Sequence, residues 1–181
     1  KINIFPWQQQ FFNEIDNFDD RKKHSLQEYR EKYGDSYIDE LPARFGLTMK
    51  GRAVITYRDI FDKKGTENIV SNSTGCRNLN NTSHFHIDLY GNYIPGLCSG
   101  LAIDYQDLGR TLSEDKYPLL NMLYNKGIKA LLKFAVKEHG FEPEEEYLSQ
   151  CDLCFEVRRH LALNTNIDFC ELNPVNYYKQ L

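Results

Sequence analysis

The sequence predicts a mixed fold of α-helices and β-strands, and three observations support this class. Residues 84–89 alternate polar and apolar side chains, which is the period of a β-strand. Residues 120–135 carry apolar side chains at helical spacing. The 181 residues are 41% hydrophobic and 27% charged, which is typical of a chain that can bury a core.

The overall composition excludes several classes of protein. The formal net charge is -4, whereas a nucleic-acid surface needs clustered positive charge. The sequence contains no run of 18 apolar residues, so no transmembrane helix is predicted. It also has no signal-peptide pattern at its beginning. Because the chain begins with Lys1 rather than Met, we expect it to be a fragment of a longer protein. The five cysteines are an odd number and no secretory signal is present, which argues against a disulfide framework. The expected location is therefore the cytoplasm.

The first fifty residues predict a short strand followed by helices. Residues 2–4 alternate in polarity, and Pro6 ends that strand. Residues 18–34 predict a charged helix with two aspartates near its beginning and Gly34 as its stop.

The middle of the chain predicts strands around a loop. Residues 52–58 are β-branched and aromatic and indicate a strand. Residues 63–75 are rich in Gly, Ser, Thr and Asn and predict a loop that leads into Cys76. Residues 84–98 predict a hairpin whose second strand carries Cys98.

The last third of the chain predicts helices. Residues 114–140 have helical spacing, Gly127 can divide them into two helices, and Gly140 is the stop. Residues 142–164 are acidic first and basic last, which is the order that a helix dipole favours. We expect the helix over 142–164 to begin near Pro143.

The cysteines form the clearest candidate site. Cys151 and Cys154 form a Cys-x-x-Cys, which lets two thiolates bind one metal centre from a single turn. Cys76 and Cys98 come from distant parts of the chain and would complete a four-thiolate site. Four thiolates suit either zinc or an iron–sulfur cluster.

Charged groups near the cysteines would favour such a site. A position near the start of a helix predicts lowered pKa values for the thiols of Cys151 and Cys154. Arg77, Arg158 and Arg159 are close in sequence and would offset the negative charge of four thiolates.

Other interpretations stay open from the residues alone. A soluble domain with free cysteines and no metal is one, because buried free cysteines are common. Cys170 has no partner nearby, which favours a core residue over a fifth ligand. His84, His86 and Asp88 share one strand face, which either binds a metal or substrate or is a half-exposed polar face. His86 and Asp88 could also support the metal centre by contacting its ligands. No catalytic residue is predicted.

Four motifs follow one another in a fixed order between residues 50 and 161. They are a Gly-Arg-Ala at 51–53, the lone Cys76, a His-x-Asp-x-x-Gly-Asn hairpin leading to Cys-x-Gly at 86–100, and a Cys-x-Leu-Cys-Phe-Glu-x-Arg at 151–158. This order resembles the C-terminal part of radical S-adenosylmethionine (SAM) proteins that carry a SPASM- or twitch-like auxiliary cluster domain.

The resemblance implies a fold, a ligand set and a cofactor. Residues 1–50 would be the end of a partial barrel, a strand plus helices, and residues 51–181 would form the auxiliary cluster domain from a β-hairpin and helices. The implied cofactor is a [4Fe-4S] cluster, with Zn²⁺ as the alternative. The implied metal ligands are Cys76, Cys98, Cys151 and Cys154.

The resemblance also implies partners and an activity for a parent protein. The Cys-x-x-x-Cys-x-x-Cys that holds the catalytic cluster in this superfamily is absent from the sequence. We therefore expect S-adenosylmethionine to bind only in the parent protein, and the fragment alone to be inactive. The expected partners are the upstream barrel and a peptide or small-molecule substrate, with no nucleic acid and no membrane. The alternative function is a stand-alone interaction domain stabilised by zinc on four cysteines.

Overall fold

The chain forms two compact units, Lys1–Thr48 and Met49–Leu181. The predicted strand at 2–4, the beginning of the predicted charged helix and His84 lie outside the described residues. The computed structural model describes residues 22, 24–47, 49, 51–71, 73–83 and 86–180.

The described part of the first unit consists of two helices, α1 (Leu26–Tyr33) and α2 (Tyr37–Phe45). The Ser25 hydroxyl accepts a hydrogen bond from the backbone N–H of Glu28 at 3.2 Å. The Glu28 carboxylate in turn accepts one from the backbone N–H of Ser25 at 2.6 Å. This capping box satisfies two N–H groups that the start of the helix leaves free. Residues 22, 24 and 25 are not helical, so the predicted continuous helix over 18–34 is wrong: α1 begins at Leu26, whereas Gly34 caps its end, as predicted.

The described part of the second unit contains helices and short strands. Its helices are α3 (Arg52–Tyr57), α4 (Thr66–Ser71), α5 (Pro118–Lys126), α6 (Ile128–His139), α7 (Gln150–Asn164) and α8 (Asn176–Lys179). Its two-residue strands are β1 (Lys64–Gly65), β2 (Asn92–Tyr93), β3 (Ile103–Asp104) and β4 (Glu146–Tyr147). Single 3₁₀ turns lie at Arg77–Asn80, Pro95–Leu97, Tyr105–Asp107 and Cys170–Leu172. Within the described ranges, no helix has the length and apolar character to cross a membrane.

The strands form two small sheets. Strand β1 pairs antiparallel with β4, and β2 pairs antiparallel with β3. The predicted mixed class is confirmed, with helices forming most of the structure. A partial barrel is not confirmed, because the described strands form only these two sheets.

Residues 52–57 form helix α3 with Arg58 as its C-cap, and not the predicted strand at 52–58. Val54 and Tyr57 are buried three positions apart, whereas Ile55 between them is 50% exposed. Burial therefore follows the helical period and not the alternation of a strand. The strand prediction is wrong because it relied on β-branched and aromatic composition, which tertiary packing overrides in so short a segment.

The predicted loop at 63–75 contains β1 and α4, so that prediction is wrong as well. Val70 of α4 is buried in the main core of the unit. The backbone N–H of Thr66 donates to the carbonyl of Glu145 at 2.8 Å, which ties this segment to the one that contains β4. These contacts come from distant residues, which local composition does not reveal.

A hairpin is present at 86–94 and is shorter than the predicted hairpin at 84–98. Ile87 and Tyr93 pair across it as an isolated antiparallel bridge. Cys98 lies outside the strands and follows a single turn of 3₁₀-helix, so its predicted place on the second strand is wrong. The proline that begins this turn has no N–H to donate to a sheet, which favours leaving the strand there.

Helices α5, α6 and α7 provide most of the core of the second unit. Gly127 separates α5 from α6, and Gly140 ends α6, as predicted. Burying apolar side chains stabilises the fold by about 25 cal/mol per Å² of apolar area removed from water. The apolar face of α7 is buried in this layer, which holds the helix in position. The fully buried side chains of the layer are Leu119, Leu123, Ile128, Leu131, Ala135, Leu153, Val157 and Leu161.

Helix α7 begins at Gln150, so the predicted start near Pro143 is wrong. Ser149 is the N-cap, and its hydroxyl accepts a hydrogen bond from the backbone N–H of Asp152 at 3.2 Å. A serine followed three residues later by a carboxylate is a typical start of a helix. This start places the Cys-x-x-Cys in the first two turns of the helix.

Candidate metal centre

The four predicted ligand cysteines line one cavity of about 360 Å³, which we call the cysteine cavity. They reach it from three separate segments: the loop before a 3₁₀ turn, the end of another such turn, and helix α7. The cysteines that line it are Cys76, Cys98, Cys151 and Cys154, and the neighbouring wall includes Arg77, Asn78, Ser99, Leu123, Gln150 and Arg158.

Helix α7 positions two of the thiols. Cys151 is the second residue of the helix, and Cys154 follows three positions later on the same face. Cys154 is buried, and Cys151 is partly buried. The side-chain amide of Asn78 lies 3.9 Å from the Cys151 sulfur, so a weak N–H···S contact reaches it from the facing 3₁₀ turn.

Cys76 is held against helix α5 through its backbone. Its N–H donates to the carbonyl of Leu123 at 2.8 Å. The preceding residue is Gly75, where a Cβ would lie 2.1 Å from the carbonyl oxygen of Tyr124. Only glycine allows this approach, so the close packing of the loop on α5 determines where the Cys76 thiol lies.

A second glycine determines the position of Cys98. Gly96 has φ +56°, and a Cβ there would lie 1.9 Å from the carbonyl oxygen of Asn78. The turn that ends at Cys98 therefore packs directly on the turn that follows Cys76. The Cys98 N–H donates to the carbonyl of Pro95 at 2.9 Å, which closes this turn.

Arg158 is a buried cation in the wall of the cavity, with only 3% of its surface exposed. Its Nε donates to the carbonyl of Cys154 at 3.3 Å, and its Nη1 donates to the carbonyl of Ser99 and to the Tyr178 hydroxyl, both at 3.0 Å. The Tyr178 hydroxyl in turn donates to the carbonyl of Gly100. These bonds fix the guanidinium beside the segments that carry Cys98 and Cys154.

The three arginines named from the sequence divide into two groups. Arg77 and Arg158 line the cysteine cavity. Arg159 is not part of its wall, because its guanidinium lies 3.8 Å from the Glu156 carboxylate and is 40% exposed. Two of the three are therefore placed to offset thiolate charge.

The electrostatics of the buried groups differ from the expectation. Burial raises the pKa of the Cys154 thiol to about 12, even though the charge of Arg158 acts to lower it. The expectation that the start of the helix lowers this pKa is therefore wrong for Cys154, because desolvation of the thiolate outweighs the dipole. Burial also opposes the charge of Arg158, but its attraction to Tyr178, Cys98 and Cys154 raises its pKa well above the usual value. A metal that binds here must displace the Cys154 proton.

An ion-pair network that sequence reasoning missed holds the start of α7. Arg58 Nη2 contacts Asp152 at 2.9 Å and Glu156 at 2.8 Å. Asp152 is 1% exposed and also accepts a hydrogen bond from the backbone N–H of Leu148 at 2.9 Å. The acidic residues at positions one and five after Cys151 were the available signal, but their partner is more than ninety residues away. The network positions the helix that carries two of the thiols.

The other candidate residues do not line the cysteine cavity. Asp88 Oδ1 accepts hydrogen bonds from the backbone N–H groups of Tyr90 at 2.8 Å and Asn92 at 2.9 Å, so it shapes the hairpin turn. His86 is exposed. Cys170 packs at the edge of the core, where its thiol donates to the carbonyl of Lys116 at 2.7 Å. Support of the metal centre by His86 and Asp88 is not seen.

The donor set of the cysteine cavity fits a thiophilic metal centre. Four thiolates around one zinc ion would lie roughly 3.8 Å apart, given Zn–S bonds of about 2.3 Å. Among the described residues, no three His, Cys, Asp or Glu side chains are grouped so as to hold a metal ion. The four cysteines line the cysteine cavity without closing on a single point.

No protein-family model, curated protein or solved structure matches the chain. The resemblance to radical SAM proteins is therefore one of motif order in the sequence alone.

Proposed function

We propose that residues 51–181 bind an auxiliary [4Fe-4S] cluster and belong to a radical SAM enzyme. The observation that carries this proposal is the meeting of four cysteines from three distant segments at one cavity. Free cysteines that served only as small apolar residues would have no reason to gather there. The proposed ligands are Cys76, Cys98, Cys151 and Cys154.

The surroundings of the cavity suit a metal centre held by four thiolates. With four thiolate ligands a [4Fe-4S] cluster and a zinc ion are both negatively charged, and in a partly buried site this charge is costly unless a cation lies nearby. Arg158 is such a cation, and it is fixed by hydrogen bonds to Ser99, Cys154 and Tyr178. The volume of about 360 Å³ also exceeds what a single ion requires.

Each part of the wall would have its own task. The thiolates would hold the cluster, and the close contacts of Gly75 and Gly96 would fix the loops that carry two of them. The packed core beneath α7 would exclude water from one side. When bound, the cluster would transfer electrons or help to bind substrate in the parent protein.

The parent protein would supply the remaining parts. An upstream barrel would bind S-adenosylmethionine with its own cluster and act on a peptide or a small molecule, and residues 1–50 would be the end of that barrel. The cytoplasm is the proposed location, because thiols stay reduced there. This chain alone would not cleave S-adenosylmethionine, because it lacks the Cys-x-x-x-Cys-x-x-Cys of the catalytic cluster.

Cysteine variants test the proposed ligand set. Wild type, Cys151→Ala and Cys170→Ala are reconstituted with iron and sulfide without oxygen, and iron, sulfide and the visible spectrum are measured. We expect Cys151→Ala to lose most of its iron and sulfide and part of its stability, because metal binding and folding are linked. Cys170→Ala is the matched control, since Cys170 is partly buried outside the cavity. Equal iron and sulfide content in the two variants would contradict the proposal.

A further inference from the structure

The described part of the second unit has another cavity of about 450 Å³, which shares no lining residue with the cysteine cavity. We call it the Arg110 cavity, and we propose that it binds a small organic carboxylate with an aromatic or branched apolar body. The lining residues that carry the argument for the apolar body and the charge are Tyr93, Ile103, Arg110, Leu112, Leu120 and Tyr124.

The apolar part of the lining predicts an apolar ligand body. Ile103 and Leu120 are buried members of the core, and Leu112 and Tyr93 pack against that core from the edge. Ligand pockets typically have about 300–1,000 Å³ and a mostly apolar lining with a few polar groups. The Arg110 cavity has this size and this lining. The aromatic side chains at its wall favour a planar or branched hydrocarbon group.

The single charge of the cavity predicts an anionic ligand. Among the described residues that line it, Arg110 alone is charged. Its guanidinium makes no hydrogen bond or ion pair with any residue in the described ranges. The neighbouring carboxylate of Asp107 is already bound by Lys116 Nζ and the Tyr117 hydroxyl, each at 2.6 Å. Arg110 is exposed, and besides the hydrogen bond from Lys116 its charge helps to lower the pKa of the Asp107 carboxyl, but its guanidinium N–H groups stay available to a ligand. They match the two oxygens of a carboxylate, whereas a phosphate dianion usually needs further cations or backbone N–H groups.

Neutral polar groups around the cavity could orient the ligand. The side chains of Thr82, Thr111 and Asn125 line it and hydrogen-bond to no other described residue. Asn121 is fixed, because its Nδ2 donates to three backbone carbonyls, the nearest being Tyr117 at 2.9 Å. Its Oδ1 is left as an acceptor. A hydroxyl or amino substituent on the ligand would find partners here.

The two cavities are lined by neighbouring residues of the same elements. On helix α5, Leu123 lines the cysteine cavity and Tyr124 lines the Arg110 cavity. On the 3₁₀ turn at Arg77–Asn80, Asn78 lines the cysteine cavity and Leu79 lines the Arg110 cavity. A bound carboxylate would therefore lie one layer of residues from the cysteines. That it is a substrate of the cluster-bearing enzyme rests on the proposed function, whereas its binding does not.

Nuclear magnetic resonance of the full chain tests the proposal, with 3-phenylpropionate as the probe and 3-phenylpropanamide as its uncharged analogue. We expect saturable shifts of backbone amides around the Arg110 cavity, and at least tenfold weaker binding of the amide. Arg110→Gln should weaken binding of the acid about tenfold, which corresponds to about 1.4 kcal/mol. Lys126→Gln is the matched control, because it removes a charge from the same helix as Tyr124 without lining the cavity.

A second variant separates shape from charge. Thr111→Trp fills the rim from an exposed position and should abolish binding of both probes without unfolding the chain. Shifts scattered over the surface, no saturable shift up to the solubility limit, or equal effects of Arg110→Gln and Lys126→Gln would each overturn the proposal. These outcomes do not depend on iron content, so failure here is distinct from failure of the proposed cluster function.

Discussion

Replacing Arg158 with glutamine should lower the reduction potential of a cluster in the cysteine cavity by about 90 mV. Arg158 is 3% exposed and lines the cavity together with the four cysteines. Reduction adds one electron to the cluster, and a nearby fixed cation makes that addition more favourable. Removing the cation should therefore make the cluster harder to reduce.

The size of the effect follows from Coulomb's law. Two unit charges about 8 Å apart interact by about 2 kcal/mol at an effective dielectric constant of about 20. For a one-electron couple, 2 kcal/mol corresponds to about 90 mV. The hydrogen bond from Arg158 Nε to the Cys154 carbonyl, at 3.3 Å, places the guanidinium close enough for an interaction of this order.

The assay is a redox titration of the reconstituted protein, followed by visible absorption and electron paramagnetic resonance. Arg159→Gln is the matched control, because it removes the same charge from the next residue of α7, where the side chain is 40% exposed and outside the cavity wall. Solvent screens that charge, so its removal should change the potential much less.

A charge-retaining variant guards against loss of structure. Arg158→Gln removes hydrogen bonds to Ser99 and Tyr178 as well as the charge, whereas Arg158→Lys keeps the charge. We expect the lysine variant to shift the potential by less than half as much as the glutamine variant. Equal shifts in the two variants, or an equal shift in Arg159→Gln, would refute the electrostatic reasoning.

Three further perturbations test the supports of the cysteine cavity and of the hairpin. Gly96→Ala places a Cβ 1.9 Å from a facing carbonyl oxygen and should lower the free energy of unfolding by about 2–5 kcal/mol in urea denaturation. Gly109→Ala is the control, because Gly109 has φ +77° but open surroundings, and it should cost about 1–2 kcal/mol. Equal losses in the two variants would argue against the contact at Gly96. Arg58→Ala leaves the buried carboxylate of Asp152 without its guanidinium and should cost about 3 kcal/mol, whereas a loss near zero would contradict the network. Burial raises the pKa of Asp88, but hydrogen bonds in the hairpin turn outweigh it and bring the pKa below 3.8. The stability that Asp88 supplies is therefore present above about pH 4 and is lost as the pH falls through the lowered pKa. Asp88→Asn should flatten this dependence in acid titrations, and an unchanged acid profile would count against it.

The helical core could be predicted from the sequence because its signals are local. Leu123, Ile128 and Leu131 recur at helical spacing, and Gly127 marks the break between two helices. Helix α3 could not be predicted in this way, since a six-residue segment is too short for its period to outweigh its composition. Contact with the rest of the core decides its conformation.

The candidate site could likewise be predicted from the sequence only in part. The cysteines could be grouped from the sequence because few residue types suit thiophilic metals, and a Cys-x-x-Cys brings two of them together. Arg58 and Tyr178 gave no such signal, because their partners are distant in sequence. Glu171 also gave no sequence signal, because its partner is distant in sequence. It is fully buried, and its carboxylate accepts a hydrogen bond from the backbone N–H of Leu119 at 2.7 Å.

The central claim is tested most directly by measuring iron, sulfide and zinc per chain, with a visible spectrum, on protein purified without oxygen. The account predicts about four irons and four sulfides per chain and a brown protein. About one zinc per chain without sulfide would contradict it and would favour the zinc-stabilised domain instead.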